Sequence, residues 1–301
     1  MSKARAQLSI APWAKLEYDP GNRRQLVADF LQLLDKGVHG LCFSAYLDGQ
    51  GPELKTQLSE EQIRARMEIV RPHAKWVRTF SCTDGNERSP RVARELGLKT
   101  LVGAWLGSDR AANEREIAKV VEIARAGDAD IVAVGNEVLL RGDLTEAELV
   151  EYVSRVKEEL PLIPVGYVDA YYLFYEHPAL VSACDVLLIN CYPFWEKCSL
   201  DRSLDYMKEM YRRVAEVARG KRIIISETGW PSQGGPVGEA VPSDENALLY
   251  ALNTFRWTQR EKIEVFYFSA FDEGWKAGTE GDCGSSWGFW DQTGSFKYGR
   301  R

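Results

Sequence analysis

Short apolar runs alternate with amphipathic stretches along this 301-residue chain from about residue 39 onward. Eight runs read as buried parallel strands: GLCFSAY (40–46), WVRTFSC (76–82), KTLVGAWL (99–106), IVAVGNEV (131–138), IPVGYVDA (163–170), VLLINCYPF (186–194), RIIISETGW (222–230) and VFYFSAFDE (265–273). Between them lie helical patterns with start signals. Ser59-Glu60-Glu61-Gln62 and Thr145-Glu146-Ala147-Glu148 both have the form of a capping box, and Pro161 and Pro164 stop the second helix. Segments 113–126, 201–219 and 244–260 are further amphipathic helices. Eight strands alternating with helices predict an α/β protein, a single (β/α)8 barrel. The first 38 residues are expected to form a strand–helix extension packed on a barrel of residues 39–301, with Asn22 to Asp35 helical and ending at Gly37. The alternative makes LSIAPW the first barrel strand and removes one of the eight.

In two of the runs the aliphatic stretch leads to a glutamate near its carboxyl end, Glu137 in IVAVGNEV and Glu227 in RIIISETGW. A carboxylate there is poorly placed for packing. In a parallel barrel every strand's carboxyl end opens on one face, where active sites are built. Two carboxyl groups converging on that face are the minimum equipment for cleaving a glycosidic bond. Asn136 stands before the first glutamate, and an amide there suits a sugar hydroxyl; Gly135 lets the backbone turn. Gly229, Trp230 and Pro231 make a rigid turn after the second.

Composition changes the picture in three ways. The formal net charge is −6 with no basic block, which argues against nucleic acid or an anionic membrane and leaves a neutral sugar open. Nine Trp and 13 Tyr could supply platforms for the apolar faces of sugars, although most such rings pack cores. The six cysteines form no C-x-x-C pair, and the three histidines lie away from strand ends, so neither a metal nor an organic cofactor is expected. Buried free thiols are expected at Cys42, Cys82 and Cys191. No signal peptide or membrane span is legible, so a cytoplasmic protein, or a domain from an exported or membrane-attached one, is expected.

VGNEV (134–138) and ETGWPS (227–232) resemble the signatures of glycoside hydrolase family 17, the β-1,3-glucanase family within a clan of retaining barrel glycosidases. INCYPFW (189–195), FSAFDEGWK (268–276) and SSWGFW (285–290) are similar to its sixth strand, its last strand and the loop after it, and the wording at GLCFSAY is closer to bacterial members than to plant ones. The resemblance implies that Glu137 is the acid/base, Asn136 its sugar-binding neighbour, Glu227 the nucleophile and Tyr192 the tyrosine beside it. It also implies that Glu273 and Lys276 belong to a charged cluster whose third member, a glutamate in plant enzymes, is absent here or replaced by Asp282 or Glu280.

Arg78 either supports Glu227 or pairs with Asp84 or Glu87 on its own loop. Trp195, Trp230, Trp275, Tyr46, Phe271, Tyr171 and Tyr172 are candidate sugar-binding rings, with Trp230 and Trp275 placed first. The expected activity is retaining hydrolysis of β-1,3-glucan with transfer to sugar acceptors, helped by rings at Trp230, Trp275, Trp287 and Trp290. A dedicated β-1,3-glucanosyltransferase, a barrel glycosidase acting on another β-linked polysaccharide and a non-catalytic carbohydrate-binding barrel are the rivals. The partner is a β-glucan oligosaccharide or polysaccharide, and the protein is expected to be a monomer without membrane insertion.

Overall fold

The computed structural model describes residues 16–278 and 280–299. Eight parallel strands close into a barrel in sequence order: β1 (Val38–Cys42), β2 (Ala74–Arg78), β3 (Lys99–Ala104), β4 (Ile131–Asn136), β5 (Val165–Ala170), β6 (Val186–Asn190), β7 (Arg222–Thr228) and β8 (Glu264–Tyr267). Each falls within or beside its expected run. Their apolar continuity has the expected cause: β4 and β6 are buried along their whole length, with helices outside and the packed barrel core inside. The helices are α1 (Arg23–Asp35), α2 (Glu60–Val70), α3 (Ser89–Glu95), α4 (Arg110–Arg125), α5 (Val138–Arg141), α6 (Glu146–Glu159), α7 (Leu173–Glu176), α8 (Pro178–Ala183), α9 (Leu200–Val217) and α10 (Asp244–Glu261). No helix among the described residues is long and apolar enough to cross a membrane.

The two capping motifs behave differently. At α6 the box is complete, Thr145 and Glu148 each accepting from the other's backbone N–H. At α2 only half forms. Ser59 caps Gln62 N, but the Gln62 amide leaves to donate to the Ala45 carbonyl at 2.8 Å, tying α2 to the loop after β1.

Asn22 caps α1, and Gly37, at φ 78°, follows its end. Phe30 of α1 packs edge-on to Phe289 at 4.9 Å, which closes the two ends of the described chain on each other. The first barrel strand begins at Val38, one residue before the expected boundary, while LSIAPW lies outside the described residues. All six cysteines are free and buried.

Candidate active site

Glu137 follows β4 directly. Its backbone lies in the left-handed region at φ 52°, which costs an ordinary residue about 1–2 kcal/mol. Gly135 makes the turn possible. It has φ 89°, and a Cβ there would come within 2.8 Å of Val138 and 3.3 Å of Tyr167. Glu137 opens the short helix α5, which the sequence did not suggest, and its side chain caps nothing. The side chain is therefore available for chemistry. Among the described residues its side-chain hydrogen-bond donor is Asn190 of β6, with Nδ2 2.9 Å from Glu137 Oε1. Burial and the nearby Glu227 push its carboxyl up to about 7.

Glu227, near the end of β7, has different surroundings. Arg78 Nη1 donates to Oε1 at 2.5 Å and Tyr192 OH donates to Oε2 at 2.7 Å. Both oxygens thus accept from strong donors, the pattern that suits an ionised carboxylate. Arg78 is almost wholly buried, and its other nitrogen, Nη2, donates to Asn136 Oδ1 at 2.7 Å. The sequence left the partner of Arg78 open; the fold gives it to Glu227. Ser226 donates to Asn190 Oδ1 at 2.9 Å, so Asn190 ties Glu137 to the residue before Glu227, as Arg78 ties Glu227 to the residue before Glu137.

Phe268 and Trp287 pack against Tyr192, and the Arg78 guanidinium lies 4.4 Å over the Phe80 ring. Phe80 and Phe268 meet edge to face at 6.2 Å, and Tyr192 meets Trp287 at 5.6 Å. Lys276 lies 4.0 Å over the Phe268 ring and bridges Glu273 (3.3 Å) and Glu280 (3.5 Å). Glu280 thus takes the third place in the charged cluster, whereas Asp282 accepts from Gly235 N. Burial works against the charge of Lys276, and Glu273, Glu280 and Glu227 more than offset it.

The ring candidates divide. Trp195 is 38% exposed beside Trp287, and Trp275 is half-buried with Tyr46 edge-on at 6.4 Å. Tyr46 is buried and accepts from Asn86 Nδ2 at 3.1 Å. Trp230 requires correction. It is 1% exposed, wedged between Phe194 and Tyr250, with Nε1 donating to the Val241 carbonyl at 3.0 Å, so it braces the β7 loop and offers no face to a sugar. Phe271 lies buried under Arg66, Tyr171 and Tyr172 pack on each other, and Trp290 packs between Phe271 and Phe289. These rings serve the core.

Sequence reasoning passed over Phe268, Asn190, Asp169 and Trp105. Trp105, directly after β3, is 42% exposed, with the Arg141 guanidinium 4.7 Å from its ring centre. The signal was available, because each of these residues stands at or just beyond a strand's carboxyl end, as the two glutamates do.

A closed (β/α)8 barrel with two glutamates at the ends of β4 and β7 has the form of a barrel glycoside hydrolase. The comparisons agree. A family model described as the BtgE/BtgC glycoside hydrolase domain matches residues 40–288, and the chain belongs to that family, within glycoside hydrolase family 17. It is similar to the glucan 1,3-beta-glucosidase BGL2 of Candida albicans, with 27% identity over 260 residues, 77% of this chain and 83% of that one. The family 17 beta-1,3-glucanosyltransferase of Rhizomucor miehei superposes with a TM-score of 0.77 at 27% identity, covering 87% of this chain and 96% of that one; an active-site mutant of a Rhizomucor miehei beta-1,3-glucanosyltransferase was solved with laminaritriose. An endo-laminarinase from Formosa, at 19% identity and a TM-score of 0.70, shares the fold.

Proposed function

We propose that this protein cleaves β-1,3-glucan with retention of configuration and passes part of the released glycosyl unit to sugar acceptors. The observation that carries the reading is the unequal setting of the two carboxyls: Glu227 held by Arg78 and Tyr192, Glu137 beside a neutral amide and pushed up to about 7. Glu137 gives its proton to the glycosidic oxygen as that oxygen leaves the anomeric carbon. A Glu227 oxygen attacks the same carbon, and the glycosyl ester forms as the C–O bond breaks. Glu137, now a carboxylate, takes a proton from water or a sugar hydroxyl, whose oxygen displaces Glu227 and regenerates the starting state. In this reading Asn136 binds the sugar beside the bond being broken, and Glu273, Lys276, Trp195 and Trp275 line the cleft. Tyr192 serves mainly to hold Glu227.

The substrate class rests on likeness to the Candida glucosidase and the Rhizomucor transferase. The same likeness favours transfer beside hydrolysis. Three of the four rings first taken as acceptor platforms, Trp230, Trp287 and Trp290, lie in the core, so half-buried Trp275 and exposed Trp105 and Trp195 carry that part of the argument. We read the protein as a monomer without a nucleic-acid partner. A 2-fluoro-glucosyl inactivator tests the mechanism: the label is expected on the peptide containing Glu227. Label on another residue, with Glu227→Gln still active, refutes the assignment. Laminari-oligosaccharides should yield products both shorter and longer than the donor; shorter products alone, even at high donor concentration, remove the transfer activity. Faster cutting of β-1,4-glucan would remove the substrate class.

A further inference from the structure

One buried carboxylate near the site has no part in the scheme above. Asp169 lies on β5, fully buried, behind the turn that presents Glu137. Its Oδ1 accepts from Ala170 N at 2.7 Å. Its Oδ2 accepts from Tyr167 OH and, at 3.4 Å, from Leu140 N. The Tyr167 oxygen in turn accepts from Leu139 N at 2.9 Å, and the Val168 carbonyl accepts from Glu137 N at 2.8 Å. Three successive residues of β5 therefore hold the backbone N–H groups of Glu137, Leu139 and Leu140. These bonds fix a turn in which Glu137 must keep a left-handed backbone.

We propose that Asp169 is a positioning residue for Glu137: with Tyr167 it fixes the turn that presents the acid/base, and it sets a negative charge behind that turn. The proposal rests on Glu137 being the acid/base. The other charged and titratable groups around Glu137 are few. Glu227 faces it from β7 and Arg141 from α5, and Tyr192 stands near it just after β6. Arg78 of β2 is committed to Glu227 and Asn136. Arg141 is committed to the carbonyls of Asn136 and Leu106 and to Asp143. Against Arg141, a charged Asp169 adds to Glu227 in opposing ionisation of Glu137.

The choice of aspartate over asparagine has a physical reason. Tyr167 OH, Ala170 N and Leu140 N all donate toward the two oxygens, and a carboxylate accepts from all three. An asparagine would aim an amide N–H at one of those donors. Burial pushes Asp169 up to about 6, so it carries its charge in the range where Glu137 still holds a proton. Asp169 sits behind α5 and is a support for the acid/base, with no path to the sugar.

The test compares Asp169→Asn with Glu137→Ala on laminari-oligosaccharides and on an activated aryl β-glucoside, which needs no acid to leave. Asp169→Asn is expected to move the basic limb of the kcat/KM profile to lower pH by about one unit. It should slow the oligosaccharides at least about tenfold while sparing the aryl glucoside. A purely structural residue would slow both substrates alike and leave the limb in place, and that result overturns the proposal. Should Asp169→Asn not fold, Tyr167→Phe fills the same space without the hydroxyl that links Asp169 to Leu139. Selective loss on oligosaccharides supports the proposal, and equal loss refutes it. Glu137→Ala separates the two levels. If it slows both substrates alike, the acid/base assignment fails and this inference with it. If it is selective and the Asp169 variant is not, only the role of Asp169 fails.

Discussion

The ends of β4 and β7 carry the same side chain and treat it in opposite ways. At β7 the carboxylate meets a buried guanidinium and a phenol, both donating, and its backbone stays extended within the strand. At β4 the backbone turns sharply, the side chain receives one amide, and like charge from Glu227 and Asp169 surrounds it. Of two acids of equal intrinsic strength, the one at β4 is thereby held toward its protonated form, while the one at β7 is held by two donors. That separation is what a retaining mechanism needs from an acid and a nucleophile working side by side. Side-chain identity alone carries none of it; it comes from what the neighbouring strands contribute.

The comparison breaks most completely when one member is removed. Glu227→Ala should lower turnover by roughly 10⁴-fold or more, since it removes the carboxylate on which the ester forms. Glu137→Ala should cost roughly 10²- to 10⁴-fold on oligosaccharides and far less on activated aryl glucosides, measured as kcat/KM on both. Taking away Arg78 strikes the contrast from the other side. Arg78→Met leaves Glu227 buried without its cation and should destabilise the fold by about 3–5 kcal/mol, read by urea denaturation at pH 7. A loss below about 1 kcal/mol would mean that the ion pair is not what holds Glu227.

A quieter effect sharpens the β4 side. In the unfolded chain the Glu137 carboxyl ionises near its ordinary 4.5, whereas in the fold it keeps its proton to about 7. The folded state binds more protons between these values, so stability contributed by this group falls as pH rises through that window. Glu137→Gln removes the loss. It should be nearly neutral at pH 4 and stabilising above pH 7, by at most about 3 kcal/mol, measured as unfolding free energy across pH. Stabilisation equal at both pH values would show that burial does not oppose the charge. The smallest expected effect is that of metal removal: activity should survive exhaustive EDTA treatment, and a loss restored by one divalent ion would require a different mechanism.

The barrel and its two glutamates were legible because each is a local pattern: an apolar run with a glutamate at its carboxyl end. The Thr145 box was legible for the same reason. What the sequence left open depends on convergence between strands. Arg78 had loop partners near it in sequence, yet β2 and β7 both point inward and bring it to Glu227. Glu280 and Asp282 were equivalent on paper, and only the loop after β8 decides which reaches Lys276. Trp230 misled because it follows a strand end directly, but its ring turns outward, away from the barrel mouth, onto Tyr250 of α10. Trp105 does the reverse and stays exposed. Position along a strand tells which face of the barrel a residue reaches, whereas side-chain direction in a loop needs the packed structure.

The division of labour can be read directly from the anomer formed in azide rescue. In Glu137→Ala, Glu227 still forms the ester and azide displaces it, so the product should be the β-glycosyl azide. In Glu227→Ala, azide takes the nucleophile's place on the opposite face, so the product should be the α-glycosyl azide. Proton NMR of the two products distinguishes them. An α-azide from Glu137→Ala together with a β-azide from Glu227→Ala would reverse the roles assigned to β4 and β7.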